Sequence, residues 1–258
     1  MERRLTLAVV DVGNTSVAAA LWRDGTVTDV VHCDGGSAEA AAALERAAAE
    51  PCGLAYASVV PREDAFWREW ARRRSLPFVA VDAALVEASG IFTIDYPAPE
   101  TIGADRLADA AGAVRRHGAG VLVMDFGTAL TAATVSSGAV WRGGVIAPGL
   151  PLARDYFRER TAKLPPLDLD APVPDPVQTP RSTQDAMLYG AVYGTLGMAK
   201  EIAARLCAAA GEPLSRIATG GYARKVLGAD AGFAGFTIDG DLTLFGAGLL
   251  AAEGGVFQ

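Results

Sequence analysis

The stretch Leu7-Ala8-Val9-Val10-Asp11-Val12-Gly13-Asn14-Thr15, read beside Val121-Leu122-Val123-Met124-Asp125-Phe126-Gly127-Thr128, decides the fold. Each is an apolar strand that ends on an aspartate and breaks at an Asp-x-Gly turn. After the first come a second apolar run, Val17 to Leu21, and a tight turn at Asp24-Gly25. After the second come Ala129 to Val135 and a turn at Ser137-Gly138. The chain states one β-hairpin plan twice, almost in register. Two matched half-molecules of this kind offer a pair of glycine-softened turns to a central cleft. Such turns suit a polyphosphate, whose charge calls for backbone N–H groups and hydroxyls at close range.

Around the hairpins, helices and strands alternate. Ser37 to Glu50 reads as an alanine-rich helix with Ser37 as N-cap and Pro51 as stop. Leu54 to Val60 reads as a buried strand closed by Pro61, and Phe78 to Val81 as a short one. Between them, Asp64 to Arg74 fits a helix whose Trp67 and Trp70, at helical spacing, belong to a core or an interface. Beyond Tyr96-Pro97-Ala98-Pro99-Glu100, the run Gly103-Ala104-Asp105-Arg106 opens a helix with Leu107, Ala110, Ala111 and Val114 on one face. Gly118-Ala119-Gly120 separates the halves, giving domains 1–118 and 119–258. Gly143 to Gly149 ends the β region of the second half and introduces a helix. Six prolines from Pro165 to Pro180 make a stiff excursion over the surface. Ser182 to Ala209 is the longest helical stretch, Ile217 to Gly221 a strand ending in a turn, and a short helix runs from Phe245. Mixed strands and helices in two related halves imply an α/β protein with its ligand in the central crevice.

Composition narrows the function. Of 258 residues 51% are hydrophobic, enough for a buried core, although alanine supplies much of that share. The net charge of −7 disfavours a nucleic-acid partner, which calls for a basic face. No run approaches the roughly 18 apolar residues of a membrane span, and Asp11 interrupts the first apolar run too early for a signal peptide. Cys33, Cys52 and Cys207 are odd in number and widely spaced, suggesting neither a disulfide framework nor a zinc site. With only His32 and His117, a His-based triad or metal site is disfavoured. The expectation is a cytoplasmic protein.

Several residues can carry chemistry. Gly13 admits a phosphate to the backbone, Asn14 and Thr15 can donate hydrogen bonds, and Asp11 can hold Mg²⁺ directly or through water. An ordinary hairpin with a turn carboxylate is the alternative, and the repeat at Asp125-Phe126-Gly127-Thr128 favours phosphate. In Gly103-Ala104-Asp105-Arg106, Asp105 could take a proton from an attacking hydroxyl and Arg106 could grip a carboxylate. Taken alone, helix-start electrostatics and a solvated arginine explain that tetrapeptide as well. Ser182 reads as a helix cap in a capping box, which leaves Thr183 as a substrate hydrogen-bond donor. Gly143-Gly144 and Gly220-Gly221 could line a nucleotide or simply permit tight turns.

In this order, the motifs resemble those of the type III pantothenate kinases, in the acetate kinase/sugar kinase/heat-shock protein/actin superfamily. The resemblance covers nearly the whole chain and rests on the first hairpin, Ala57-Ser58-Val59-Val60-Pro61, Tyr96-Pro97, Gly103 to Arg106, Asp125 to Ala129, Gly143 to Leu150, and Thr183 with Ala186-Met187 and Gly190. It implies two duplicated ribonuclease H-like halves and ATP-dependent phosphorylation of pantothenate, the first step of coenzyme A synthesis. By motif, Asp11, Val12, Gly13, Asn14, Thr15, Ser16, Val17 and Ala18 would form the ATP phosphate loop, with Thr128 contacting ATP from the second hairpin. Asp125 would match a site for a monovalent cation, K⁺ or NH₄⁺, beside the Mg²⁺ that Asp11 can hold by its own chemistry. Tyr96, Gly103, Ala104, Asp105, Arg106 and Thr183 would contact pantothenate, with Asp105 as proton acceptor. The resemblance also implies a homodimer with its interface on the C-terminal half. The chain departs from the family at Pro180, where glycine usually stands three residues before the substrate threonine, and Thr219-Gly220-Gly221 is a looser match at the adenosine end. Two other readings stay open: another small-molecule kinase of the superfamily, and a non-catalytic nucleotide-binding regulatory protein.

Overall fold

A computed structural model describes residues 5–34, 36–47, 50–230 and 235–257. Its strands are β1 (Thr6–Val12), β2 (Val17–Arg23), β3 (Thr26–Cys33), β4 (Leu54–Ser58), β5 (Phe78–Ala80), β6 (Thr93–Ile94), β7 (Val121–Phe126), β8 (Ala129–Val135), β9 (Val140–Pro148), β10 (Ser215–Thr219) and β11 (Phe236–Ile238). Its helices are α1 (Ser37–Arg46), α2 (Asp64–Arg73), α3 (Ala83–Ser89), α4 (Ala104–His117), α5 (Leu150–Arg160), α6 (Thr183–Ala210), α7 (Ala223–Gly228) and α8 (Leu242–Glu253).

The first sheet runs β3-β2-β1-β4-β5 and the second β11-β10-β7-β8-β9-β6. Shifted by six strands, the first order reproduces the second, with β6 added at its edge. The parallel pairings agree as well: β1 with β4 and β4 with β5 in one, β7 with β10 and β10 with β11 in the other. The duplication read from the two Asp-x-Gly hairpins is therefore a duplication of sheet topology, in mixed sheets. The central strands β1, β4 and β7 are nearly continuous apolar runs because elements pack on both their faces.

By contacts the chain divides into two compact units, one of Met1–Gly120, Val135–Gly143 and Asp241–Gln258, the other of Val121–Thr134 and Gly144–Gly240. These differ from the sequence halves because α8, from the second repeat, belongs to the first unit. Its residues Leu242, Leu244, Phe245, Leu249 and Leu250 are all buried, and a helix apolar all round needs a wall on every side. It packs on β1 and α4. Close approach to α4 requires glycine: a Cβ on Gly246 would lie 1.8 Å from the Ala108 carbonyl oxygen, and one on Gly112 2.8 Å from that of Leu242. Thr243 donates a 2.7 Å hydrogen bond to buried Asp109, and Arg116 pairs with Asp241 at 2.8 Å while lying over the Phe245 ring.

The second unit centres on Leu122, Met124, Leu130, Leu188, Val192 and Val226. The proline-bearing stretch between α5 and α6 has no regular structure, since proline removes ladder and helix donors. Buried Leu167 and Leu169 pin it to this core, and the Pro174 and Pro176 carbonyls accept from the Tyr193 and Tyr189 hydroxyls.

Several sequence expectations change in detail. Ser37 does not cap α1: Gly36 holds that position, and the Ser37 Oγ, buried, accepts from Trp67 Nε1 at 2.9 Å. The strand expected to Val60 stops at Ser58, whose Oγ accepts the Val60 amide proton. Gly143 to Gly149 ends the β region as expected, with β9 stopping at Pro148 ahead of α5, and Gly144 lies inside β9, where a Cβ would lie 1.8 Å from the Ala132 carbonyl oxygen. Helix α3, unread in the sequence, carries an Asp82 cap accepting from the Leu85 amide and a left-handed Gly90 at its end.

Candidate active site

In the first unit, Asp11 closes β1 between Ala18 on β2 and Ala57 on β4, all three on central strands. Beyond it the chain turns sharply, the Gly13 amide donating to the Ser16 carbonyl at 3.0 Å. Asn14, Thr15 and Ser16 are exposed at the tip, while Val12 and Val17 are buried and anchor its two stems. Gly13 to Ser16 line a pocket of about 190 Å³ together with Val60 and Arg62. The loop thus presents hydroxyl and amide donors on a rigid hairpin, with Ala18 behind it on β2.

Asp105 stands in the first turn of α4. Gly103, at the cap, has no side chain to satisfy the helix's free N–H groups, and Asp105 Oδ1 accepts from the Arg106 amide at 2.8 Å. Gly103 has an ordinary φ of −59°, so its backbone does not demand glycine. The demand is steric: a Cβ there would lie 2.5 Å from Asp105 Oδ1 and 3.4 Å from Val59 Cγ1. Val59 in turn donates its amide to the Val12 carbonyl at 3.1 Å. One residue therefore packs against both the end of β1, where the exposed loop begins, and the turn that carries Asp105.

Burial raises the Asp105 carboxyl above the ordinary carboxylate range, against the opposing Arg106 amide and guanidinium. Burial likewise lowers Arg106, while Asp105, Tyr96 and Asp109 act to hold its proton. A carboxylate with a raised affinity for protons at the start of a helix fits a general base better than a surface cap.

Tyr96, 41% exposed, meets Trp141 edge-on with ring centroids 5.3 Å apart, and the Arg106 guanidinium lies 5.3 Å from the Trp141 centroid. Gly143, at φ +101°, passes the Tyr96 ring. Tyr96, Arg106 and Asp105 are thus brought to one region of this unit, and Ala104, ahead of Asp105 on α4, is buried. Trp141 went unread in the sequence, where an isolated tryptophan in an apolar strand carries no chemical signal.

In the second unit, Asp125 pairs with Thr219 across β7 and β10. Glycine crowds it: a Cβ on Gly220, at φ +89°, would lie 2.1 Å from Asp125 Oδ1, and one on Gly127 3.4 Å from Oδ2. Gly149 abuts the same turn, where its Cβ would fall 2.6 Å from the Thr128 carbonyl oxygen and its amide donates to that oxygen at 3.2 Å. Gly220 and Gly149 are thus required by packing around the Asp-x-Gly turn. Thr183 is the first residue of α6 and exposed. Ser182 caps that helix, accepting from the Asp185 amide at 3.0 Å and donating to its carboxylate at 2.7 Å, as the capping-box reading expects. Pro180 lies in the irregular stretch ahead of the cap.

Among the described residues no group of three or more His, Cys, Asp and Glu could hold a metal ion by itself. No described helix is long and apolar enough to cross a membrane.

A family model described as type III pantothenate kinase matches residues 7–205. A type III pantothenate kinase of Thermomicrobium roseum is 31% identical over 259 residues, 93% of this chain and 94% of that one. Another, of Akkermansia muciniphila, is 43% identical over 169 residues, 66% of each chain. Among solved structures, a conserved protein of Campylobacter jejuni described as a Baf family transcriptional activator matches with a TM-score of 0.57 at 18% identity, over 95% of this chain and 98% of that one. At that identity the likeness speaks for the fold alone.

Proposed function

The chain belongs to the type III pantothenate kinase family, and on that premise we propose that it transfers the γ-phosphoryl group of ATP to the primary hydroxyl of pantothenate, with Asp105 as the base. The product is 4′-phosphopantothenate, in the first step of coenzyme A biosynthesis. The observation that carries this reading is the Asp105 carboxylate, largely withdrawn from water and packed over Gly103, with Val59 linking that turn to the phosphate hairpin.

Asp105 Oδ1 accepts from the Arg106 amide, and the carboxylate so placed orients the acceptor hydroxyl. The hydroxyl oxygen attacks the γ-phosphorus in line, the bond to the ADP oxygen breaks, and the hydroxyl proton passes to Asp105. Donors at Gly13 to Ser16 hold the phosphates as charge shifts toward ADP, and the family motif assigns Thr128 to ATP. Arg106 and Tyr96 grip the carboxylate end of pantothenate, and the family motif assigns Thr183 to pantothenate.

Asp11, near the end of β1, would hold Mg²⁺ arriving with ATP, directly or through water, and the ion would supply positive charge against the phosphates. Asp125, in a space that any side chain on Gly220 would fill, is the residue for a monovalent cation, K⁺ or NH₄⁺. Both ions supply positive charge to a chain of net charge −7. The enzyme works in the cytoplasm as a homodimer.

The test is pantothenate-dependent ADP release, with and without K⁺, for the native chain and Asp105→Asn. Loss of the base is expected to lower kcat by roughly 10²- to 10⁴-fold. Native-like turnover in Asp105→Asn would remove the base from Asp105, and a native chain inert toward pantothenate but active on another alcohol would remove the substrate assignment.

A further inference from the structure

We propose that Trp141 is a positioning residue that makes the acceptor site selective for a carboxylate-bearing substrate, by holding Arg106 and Tyr96 as one unit. The inference rests on the assignment of Arg106 to the pantothenate carboxylate.

Trp141 is fully buried, so it cannot itself touch the substrate. Its backbone is fixed by the short β6–β9 pairing, in which Ile94 stands opposite Trp141 and the Asp95 amide donates to the Trp141 carbonyl at 3.0 Å. That bond places Tyr96, the next residue, against the indole edge. Among the described residues no acceptor meets the indole Nε1. A buried tryptophan ordinarily pairs that N–H. Here the polar handle goes unused, and the ring offers its neighbours a π surface.

Arg106 makes use of that surface. Half-buried, with its proton disfavoured by burial, the guanidinium gains from the ring quadrupole, and its planar fork has the geometry to meet a carboxylate. Arginine's flat, weakly hydrated head suits this double use, where a lysine's ammonium does not. Without the ring, Arg106 would keep its charge but lose one of the contacts that orient it. The consequence should appear only for substrates that present a negative end.

The experiment compares pantothenate with pantothenol, which keeps the acceptor hydroxyl and carries an alcohol in place of the carboxylate. Arg106→Gln should raise KM for pantothenate and leave KM for pantothenol nearly unchanged. Trp141→Leu should do the same with a smaller rise, roughly three- to thirty-fold, and the double variant should be no worse than Arg106→Gln alone. Trp141→Phe, which keeps a weaker π face, should fall between the native chain and Trp141→Leu. Should Trp141→Leu not fold, Trp141→Phe carries the test through a KM rise confined to pantothenate. Equal KM rises for both substrates would reduce Trp141 to a packing residue and overturn the proposal. Discrimination by Arg106→Gln without any by the Trp141 variants would overturn it while leaving Arg106 in place. No discrimination by Arg106→Gln would remove both, with phosphorylation of pantothenate by the native chain still standing.

Discussion

Gly103→Ala isolates the placement of the carboxylate proposed as the base from its chemistry. Alanine accepts the φ of −59° and ψ of 139° at this position, so the backbone need not move. The added methyl would lie 2.5 Å from Asp105 Oδ1, whereas ordinary contact begins near 3.4 Å, so the carboxylate must retreat by about 1 Å. A displacement of that size at a reacting group can cost on the order of 10²-fold in rate. The stability change should be small. Alanine is a poorer cap than glycine by up to about 1 kcal/mol, but it restricts the unfolded chain by a comparable ~0.4–1 kcal/mol. Steady-state ADP release at saturating ATP, paired with a thermal melt, reads both quantities. The expected result is kcat lower by about 10²-fold with a nearly native melt. The double variant Gly103→Ala/Asp105→Asn should be no slower than Asp105→Asn, because the methyl acts only through the carboxylate. Native turnover in Gly103→Ala would refute the reasoning, and so would a further fall in the double variant.

Three further outcomes follow from the geometry of these sites. Since burial raises the Asp105 pKa, turnover should climb with pH as that group loses its proton, with a midpoint above the ordinary 3.8. The same shift means the folded chain holds this proton more tightly than the unfolded one. Its stabilising contribution is complete below the unfolded value and is lost as pH rises through the folded one. Asp105→Asn should therefore melt no lower than the native chain at pH 7, and a clear drop in its melting temperature would contradict the sign. Gly220→Ala combines a positive φ with a Cβ 2.1 Å from Asp125 Oδ1. It should destabilise the protein by about 1–3 kcal/mol in urea titration and blunt the response of turnover to K⁺; an unaltered K⁺ response would detach Asp125 from the cation.

Local pattern made much of this legible. The Asp-x-Gly hairpins, the Ser182 cap and the core role of Trp67 and Trp70 follow from strand runs, turn residues and helical spacing, which act between near neighbours in the chain. Where a distant partner decides, the pattern failed. Ser37 looks like a cap by type, yet Trp67, from the next helix, takes its hydroxyl. Gly143-Gly144 could serve a ligand or a tight turn by type, yet both lie inside β9, where the Ala132 backbone presses on Gly144 and admits only glycine.

The sequence by itself determined that the chain is a duplicated α/β protein, and its motifs mark Asp11, Asp105 and Asp125 as the carboxylates to watch, because apolar periodicity and turn chemistry are local. Only the tertiary structure decided that α8 returns to the first unit, that Gly103 is glycine for the sake of Asp105, and that a buried tryptophan lies beneath Arg106. Those depend on which surfaces meet when residues far apart in the chain pack to contact distance, and no short window of sequence records that.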